Sequence, residues 1–257
     1  MTDSTMQTRN TKKTNKLLRT LGAAVFWLGV WFLLAAIVGK ELLLPSPLSA
    51  AKALFSLAGK GAFWRSCLYS VLRILLAALL GTAAGVVFAV LTRVSRVCDA
   101  LLSPFLRVLR ATPVASFIIL ALLWLGRDFV PVIIAMLMVV PVVAGSLSAA
   151  IDETPRELLE MAKAYRVPKL RTVRKIYIPS VLPSFFSACV TSIGFAWKSG
   201  IAAEVLCLPR NAIGTRLSFT RAHLETPELF AWTAVVVLLS FVFEKGLRLL
   251  FALRVKK

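Results

Sequence analysis

Acidic side chains are scarce in this chain, which has 12 Asp plus Glu against 31 Lys plus Arg and a single histidine, His223. So few carboxylates and imidazoles offer little from which to cluster a general acid and base at a membrane face, which argues against an integral-membrane enzyme. The four cysteines, Cys67, Cys98, Cys189 and Cys207, contain no CxxC pair, and with one histidine they leave no metal-ligand spacing. Most read as apolar fillers. Also missing is GxxxxGK[ST], the loop that cradles nucleotide phosphates; Gly194-Phe195-Ala196-Trp197-Lys198-Ser199 ends in Lys-Ser without the spacing. No basic stripe carries interleaved aromatics, so the net charge of +19 does not point to nucleic acid.

What the chain does have is apolar length. Hydrophobic residues make up 58% of it and the mean hydropathy is +0.81, values that describe a multispanning membrane protein. Residues 1–20 are polar and basic, and disorder is expected there. Residues 21–39 run without a charge for long enough to span, and read as an uncleaved anchor. Leu44-Pro45-Ser46-Pro47 breaks the chain before a mildly amphipathic stretch over 48–64. A second span over about 70–91 holds Gly81 and Gly85, whose GxxxG spacing lets another helix approach the backbone.

The third span, about 101–125, is punctuated by Pro104 and Pro113, which predict a kinked or stepped entry. Its Arg107 and Arg110 are expected to snorkel to headgroups. A fourth span follows over 130–150, a fifth apolar run reaches Leu208 with Gly194 and Gly200 as expected break points, and a sixth covers 229–250. The fold class is therefore all-α integral membrane, with about six transmembrane helices. Basic residues between the spans number nineteen on the side of both termini and eight on the other, so the positive-inside rule makes both termini cytoplasmic. Cys67 and Cys207 both fall near the outer face in this topology, where a disulfide is conceivable.

Residues 151–179, IDETPRELLEMAKAYRVPKLRTVRKIYIP, form the longest charged segment between two apolar runs, with seven basic and four acidic residues. Such a segment is excluded from hydrocarbon and must be a loop on the cytoplasmic face. Thr154-Pro155-Arg156-Glu157 predicts a capping box with proline at the first helical position. The helix it starts places Leu158, Met161, Ala162 and Tyr165 on one apolar stripe that needs a cover. Val167-Pro168 interrupts the helix, and a second short one carries Leu170, Val173 and Ile176 or Tyr177. Pattern alone allows an amphipathic helix pair lying on the headgroups.

This stretch resembles the cytoplasmic signature of ABC importer permeases: Glu-Ala-Ala, three residues, Gly, nine residues, Ile, one residue, Leu-Pro. Glu160-Met161-Ala162 stands for the triplet, Arg166 falls at the glycine, and Ile176 with Ile178-Pro179 closes the motif. The family's glycine makes the turn between two coupling helices, and arginine pays for a left-handed backbone that glycine adopts freely. Either Val167-Pro168 makes the turn differently here, or the coupling loop has a changed shape. Further patches are similar to the nitrate/sulfonate/taurine branch: Leu44-Pro45-Ser46-Pro47, Ser70-Val71-Leu72-Arg73, Pro104 with Arg110-Ala111-Thr112-Pro113, Ala196-Trp197 and Ala203-Glu204.

The resemblance implies a type I importer fold in a bacterial inner membrane, with a single permease domain over 21–257 and a coupling loop over 151–179. It implies a second permease copy, a cytosolic ABC ATPase pair that uses the ATP and magnesium, and an external binding protein that delivers solute. This chain would then hold no cofactor and catalyse nothing. Leu158, Leu159, Glu160, Ala162, Tyr165 and Arg166 are the expected ATPase-coupling residues. Lys198 and Glu204 lie inside the fifth apolar run, where a charge costs about 2.5–3.5 kcal/mol on insertion scales, and are candidates to line the path. Six residues apart on a helix, they point to different faces. Arg73 reads as an outer-interface anchor. A channel or secondary transporter working without an ATPase is the alternative.

Overall fold

The computed structural model describes residues 22–255, and among these every regular element is helical. The basic tail expected over residues 1–20 lies outside them. The described chain forms two compact units.

The first unit takes the described part of Met1–Lys60 together with Phe219–Ala234. Helix α1, Gly22–Val38, falls where the first span is expected and is an apolar helix shorter than those long enough to cross a membrane. It stops at Gly39, whose φ of +63° supplies the left-handed residue that commonly follows a helix. The return turn is held by side chains: Trp31 Nε1 donates to Pro45 O at 3.1 Å, and Thr226 Oγ1 donates to Leu42 O at 2.6 Å. Trp31 also stacks on Phe230 with centroids 5.6 Å apart. Helix α2, Pro47–Ala58, starts where Ser46 Oγ accepts from Ser49 N at 3.1 Å and Pro47 supplies a pre-set φ. The expected outer stretch over 48–64 is therefore split, its last residues opening the next helix.

The second unit takes Gly61–Ser218 with Val235–Lys257. Its frame is α3, Gly61–Val94, α6, Val130–Asp152, and α9, Ile178–Cys207, with α6 packed against both others. The GxxxG spacing works as expected. A Cβ on Gly81 would meet Val139 Cβ at 2.7 Å, and one on Gly85 would meet Val143 Cβ at 2.7 Å, so only glycine lets α3 and α6 come this close. Between α3 and α6 run α4, Arg96–Ala111, and α5, Val114–Trp124, bent by 107° at Thr112-Pro113. Pro104 sits inside α4 without ending it, so the step comes from Pro113 alone. Ile118 of α5 joins Val130, Ile134, Ala203 and Cys207 in a buried apolar cluster.

Two expectations about α9 change. Gly194 and Gly200 do not break it; the helix is continuous for 30 residues. Gly200 instead accepts Ile74 of α3, whose Cγ1 would lie 2.8 Å from a Cβ there. Helix α7, Arg156–Ala164, and the short α8, Lys169–Thr172, fill the segment between α6 and α9; α8 passes through a π-helical turn, Val173–Tyr177, straight into α9. From Lys169 to Cys207 this makes one helical rod of 39 residues, about 58 Å at 1.5 Å per residue. Helices α10, Ile213–Ala222, and α11, Thr226–Val255, complete the chain. By length and composition α3, α6 and the Lys169–Cys207 rod can cross a membrane, and α4–α5 makes a fourth if the bent pair is one span.

Candidate coupling segment and buried ion pair

The capping box expected at the start of α7 does not form. Thr154 is buried and its hydroxyl turns back onto α6, donating to Ala150 O at 3.3 Å, while Pro155 takes the cap position with no side-chain bond. Threonine can satisfy its hydroxyl on a carbonyl four residues earlier, and here that alternative wins. Glu157 still lies in the first turn of α7, on the favourable side of the helix dipole.

At the other end of α7 the motif geometry is retained. Val167 N donates to Ala162 O at 2.8 Å and Arg166 N to Lys163 O at 3.0 Å, the paired bonds of a Schellman turn. Arg166 occupies its left-handed position with φ +50°. The expected remaking of the turn at Val167-Pro168 does not occur: the chain keeps the turn and places the arginine in it, at a cost of about 1–2 kcal/mol relative to glycine. Ala162 is buried beneath the turn and Leu159 is half-buried. Leu158, Met161, Tyr165 and, after the turn, Leu170 are uncovered, with Tyr165 80% and Leu170 82% exposed. Glu160 and Arg166 are exposed beside them. The six expected coupling residues thus share one short helix and its turn, most of their apolar surface open.

The two charges of the fifth apolar run separate. Lys198 is exposed on α9, whereas Glu204 is fully buried. Glu204 Oε2 accepts from Ser70 Oγ at 2.7 Å and from Gly214 N at 3.2 Å; Oε1 accepts from Arg73 Nη1 at 2.9 Å. Ser70 Oγ in turn accepts from Ile213 N at 2.9 Å. Arg73 is therefore not an interface anchor but the counter-ion of Glu204, and its second nitrogen donates to Arg210 O at 3.3 Å. The cluster pins α3, the end of α9 and the start of α10 together. Gly214 permits it, because a Cβ there would lie 2.6 Å from the carbonyl carbon of Glu204.

Sequence reasoning recognised that a charge in that run needs a partner but did not find it, since Arg73 and Glu204 are 131 positions apart. The signal available was that Arg73 is itself a charge inside an apolar run. All four cysteines are free thiols, so Cys67 and Cys207 do not pair. Among the described residues no group of His, Cys, Asp and Glu could hold a metal ion.

Residues 79–257 match the family described as binding-protein-dependent transport system inner membrane component. The chain is 23% identical to the taurine transport system permease protein TauC of Escherichia coli (strain K12), over 90% of this chain and 86% of that protein. It is 24% identical to the putative aliphatic sulfonates transport permease protein SsuC of Bacillus subtilis (strain 168), over 87% and 81%. Among solved structures, an amino acid ABC transporter matches with a TM-score of 0.60 at 16% identity, covering 72% of this chain and 89% of that one. The MetNI methionine ABC transporter matches with a TM-score of 0.54 at 16% identity, covering 73% and 91%. With that match over most of its length, and with helices long enough to cross a bilayer, the chain belongs to the binding-protein-dependent transport system inner membrane components, as a multi-pass ABC importer permease of the branch that includes the taurine and sulfonate permeases.

Proposed function

We propose that this permease forms half of the translocation path for a small anionic solute and is driven by a cytosolic ABC ATPase pair gripping residues 151–179. The observation that carries the proposal is the uncovered apolar face of α7 and its turn: Leu158, Met161, Tyr165 and Leu170 are open on a segment too polar to enter hydrocarbon. Such side chains suit a groove on a partner, and Glu160 and Arg166 beside them would set its orientation. The likeness to solved ABC transporters supports an ATPase partner, and the taurine and sulfonate relatives support an anion.

In this reading about six helices span the bilayer with both termini cytoplasmic. A second copy completes the path and an external binding protein delivers solute. ATP and magnesium act on the ATPase, not on this chain. Closure of the ATPases moves α7, and the helices rock between inward- and outward-open states. Lys198 lines the path and favours an anion; Glu204, with both oxygens engaged, serves the path by holding its wall.

The test is uptake and ATP hydrolysis in proteoliposomes containing permease, ATPase and binding protein. Glu160→Lys and Tyr165→Asp, both at exposed positions, should insert normally yet lower uptake at least about tenfold, the loss expected when one charge or one packed contact at an interface is spoiled. Undiminished transport by both variants would remove the coupling role.

A further inference from the structure

Arg107 and Arg110 of α4 are both exposed, and one of them also ties α4 to a neighbouring helix. Arg110 donates through Nη2 to Pro141 O of α6. It can do so because Gly145 stands one turn beyond Pro141; a Cβ on Gly145 would collide with the guanidinium. Beside it lies a cavity of about 340 Å³ between the ends of α3, α4 and α6, at the end of the second unit that carries α7. Its polar wall has Arg93, Arg107 and Arg110, the hydroxyl residues Thr92, Ser103 and Ser148, and one carboxylate, Asp152.

The donor inventory of this wall is unbalanced. Arg93 is committed to Asp152 at 2.5 Å, with Asp99 at 3.9 Å. Arg107 uses only Nε, on Ser103 O of its own helix at 3.3 Å, and Arg110 makes its one bond to a carbonyl. Each guanidinium has five N–H donors, so most of those on Arg107 and Arg110 are unspent. Among the described residues no carboxylate forms an ion pair with either. A pocket of this volume is at the small end of those that take ligands, and two planar cations with free forks suit the oxygens of a tetrahedral anion.

We propose that this cavity binds an oxyanion group, a sulfonate, sulfate or phosphate, held chiefly by Arg107 and Arg110. The group can arrive on a free solute or as the headgroup phosphate of an anionic phospholipid. The inference goes beyond the coupling role, and its test uses neither ATP nor ATPase, so either can fail without the other.

The full chain, purified in dodecyl maltoside, is titrated calorimetrically with sodium sulfate against sodium chloride at matched ionic strength. In parallel it is placed in nanodiscs of phosphatidylcholine with or without phosphatidylglycerol, and retained lipid is read by native mass spectrometry. Saturable sulfate binding that weakens about tenfold in Arg107→Gln and in Arg110→Gln, with phosphatidylglycerol retention unchanged, supports the free anion as ligand. Retention of phosphatidylglycerol that drops in the same variants and is displaced by sulfate supports the lipid. Arg107→Gln decides if Arg110→Gln misfolds, because Arg107 bonds only within its own helix. Binding of neither ligand, or equal binding by wild type and Arg107→Gln, overturns the site.

Discussion

Arg166 combines the two demands made on the α7 turn. Its backbone must be left-handed for Val167 N to reach Ala162 O, and its side chain contributes charge where an ATPase would dock. Glycine would meet the first demand at lower cost, by about 1 kcal/mol, and cannot meet the second. Arg166→Gly should therefore slow amide exchange at Val167, while Arg166→Val should speed it, since a β-branched residue tolerates positive φ worst. Hydrogen–deuterium exchange of the detergent-solubilised chain reads both, and faster exchange in the glycine variant would contradict the strain assigned to this residue. Lys198 is a residue-scale question of another kind. It is exposed on α9 and is proposed to line the path, so Lys198→Met at normal expression should lower uptake of an anionic solute several-fold. Unchanged uptake takes it out of the path.

Among the elements, α3, α9 and α10 depend on one buried ion pair. Removing one partner of such a pair leaves a stranded charge and typically costs about 3–5 kcal/mol, whereas replacing both with apolar residues is often close to neutral. Glu204→Ala should accordingly lower the melting temperature in detergent far more than the double variant Arg73→Leu, Glu204→Leu. If the double variant is the less stable of the two, the hydrogen bonds from Ser70 and Gly214 dominate and the pair is secondary. The elements also show where sequence reasoning reached its limit. The Gly81 and Gly85 contact and the break at Pro113 were legible because each depends on residues a few positions apart; the retained turn after α7 was not, because arginine is a poor fit to its left-handed position. The pairing of Arg73 with Glu204 and the bond from Arg110 to Pro141 were not legible either, because both need residues from other helices. Thr154 was misread for a subtler reason: two local hydrogen bonds competed for one hydroxyl, and the pattern matched the one that lost.

For the whole molecule, family and helical class were readable from the apolar runs and the spacing of the signature, while the 107° angle between α4 and α5 was not. The proposed orientation makes a direct prediction. In a background lacking the native cysteines, Glu160→Cys should react with a membrane-impermeant maleimide only in everted vesicles, and His223→Cys only in intact cells. The opposite pattern would invert the topology and remove the ATPase from reach of α7. The unbroken course from Lys169 to Cys207 bears on how any such stroke would travel. If the π-helical turn Val173–Tyr177 and the prolines Pro179 and Pro183 near its foot stay stiff, a shove there tilts the whole rod, and its head swings the other way. On the proposed function, a tug at Leu170 would then also displace the clasp at Glu204, and the two mouths of the conduit would be geared to each other by a single piece of backbone.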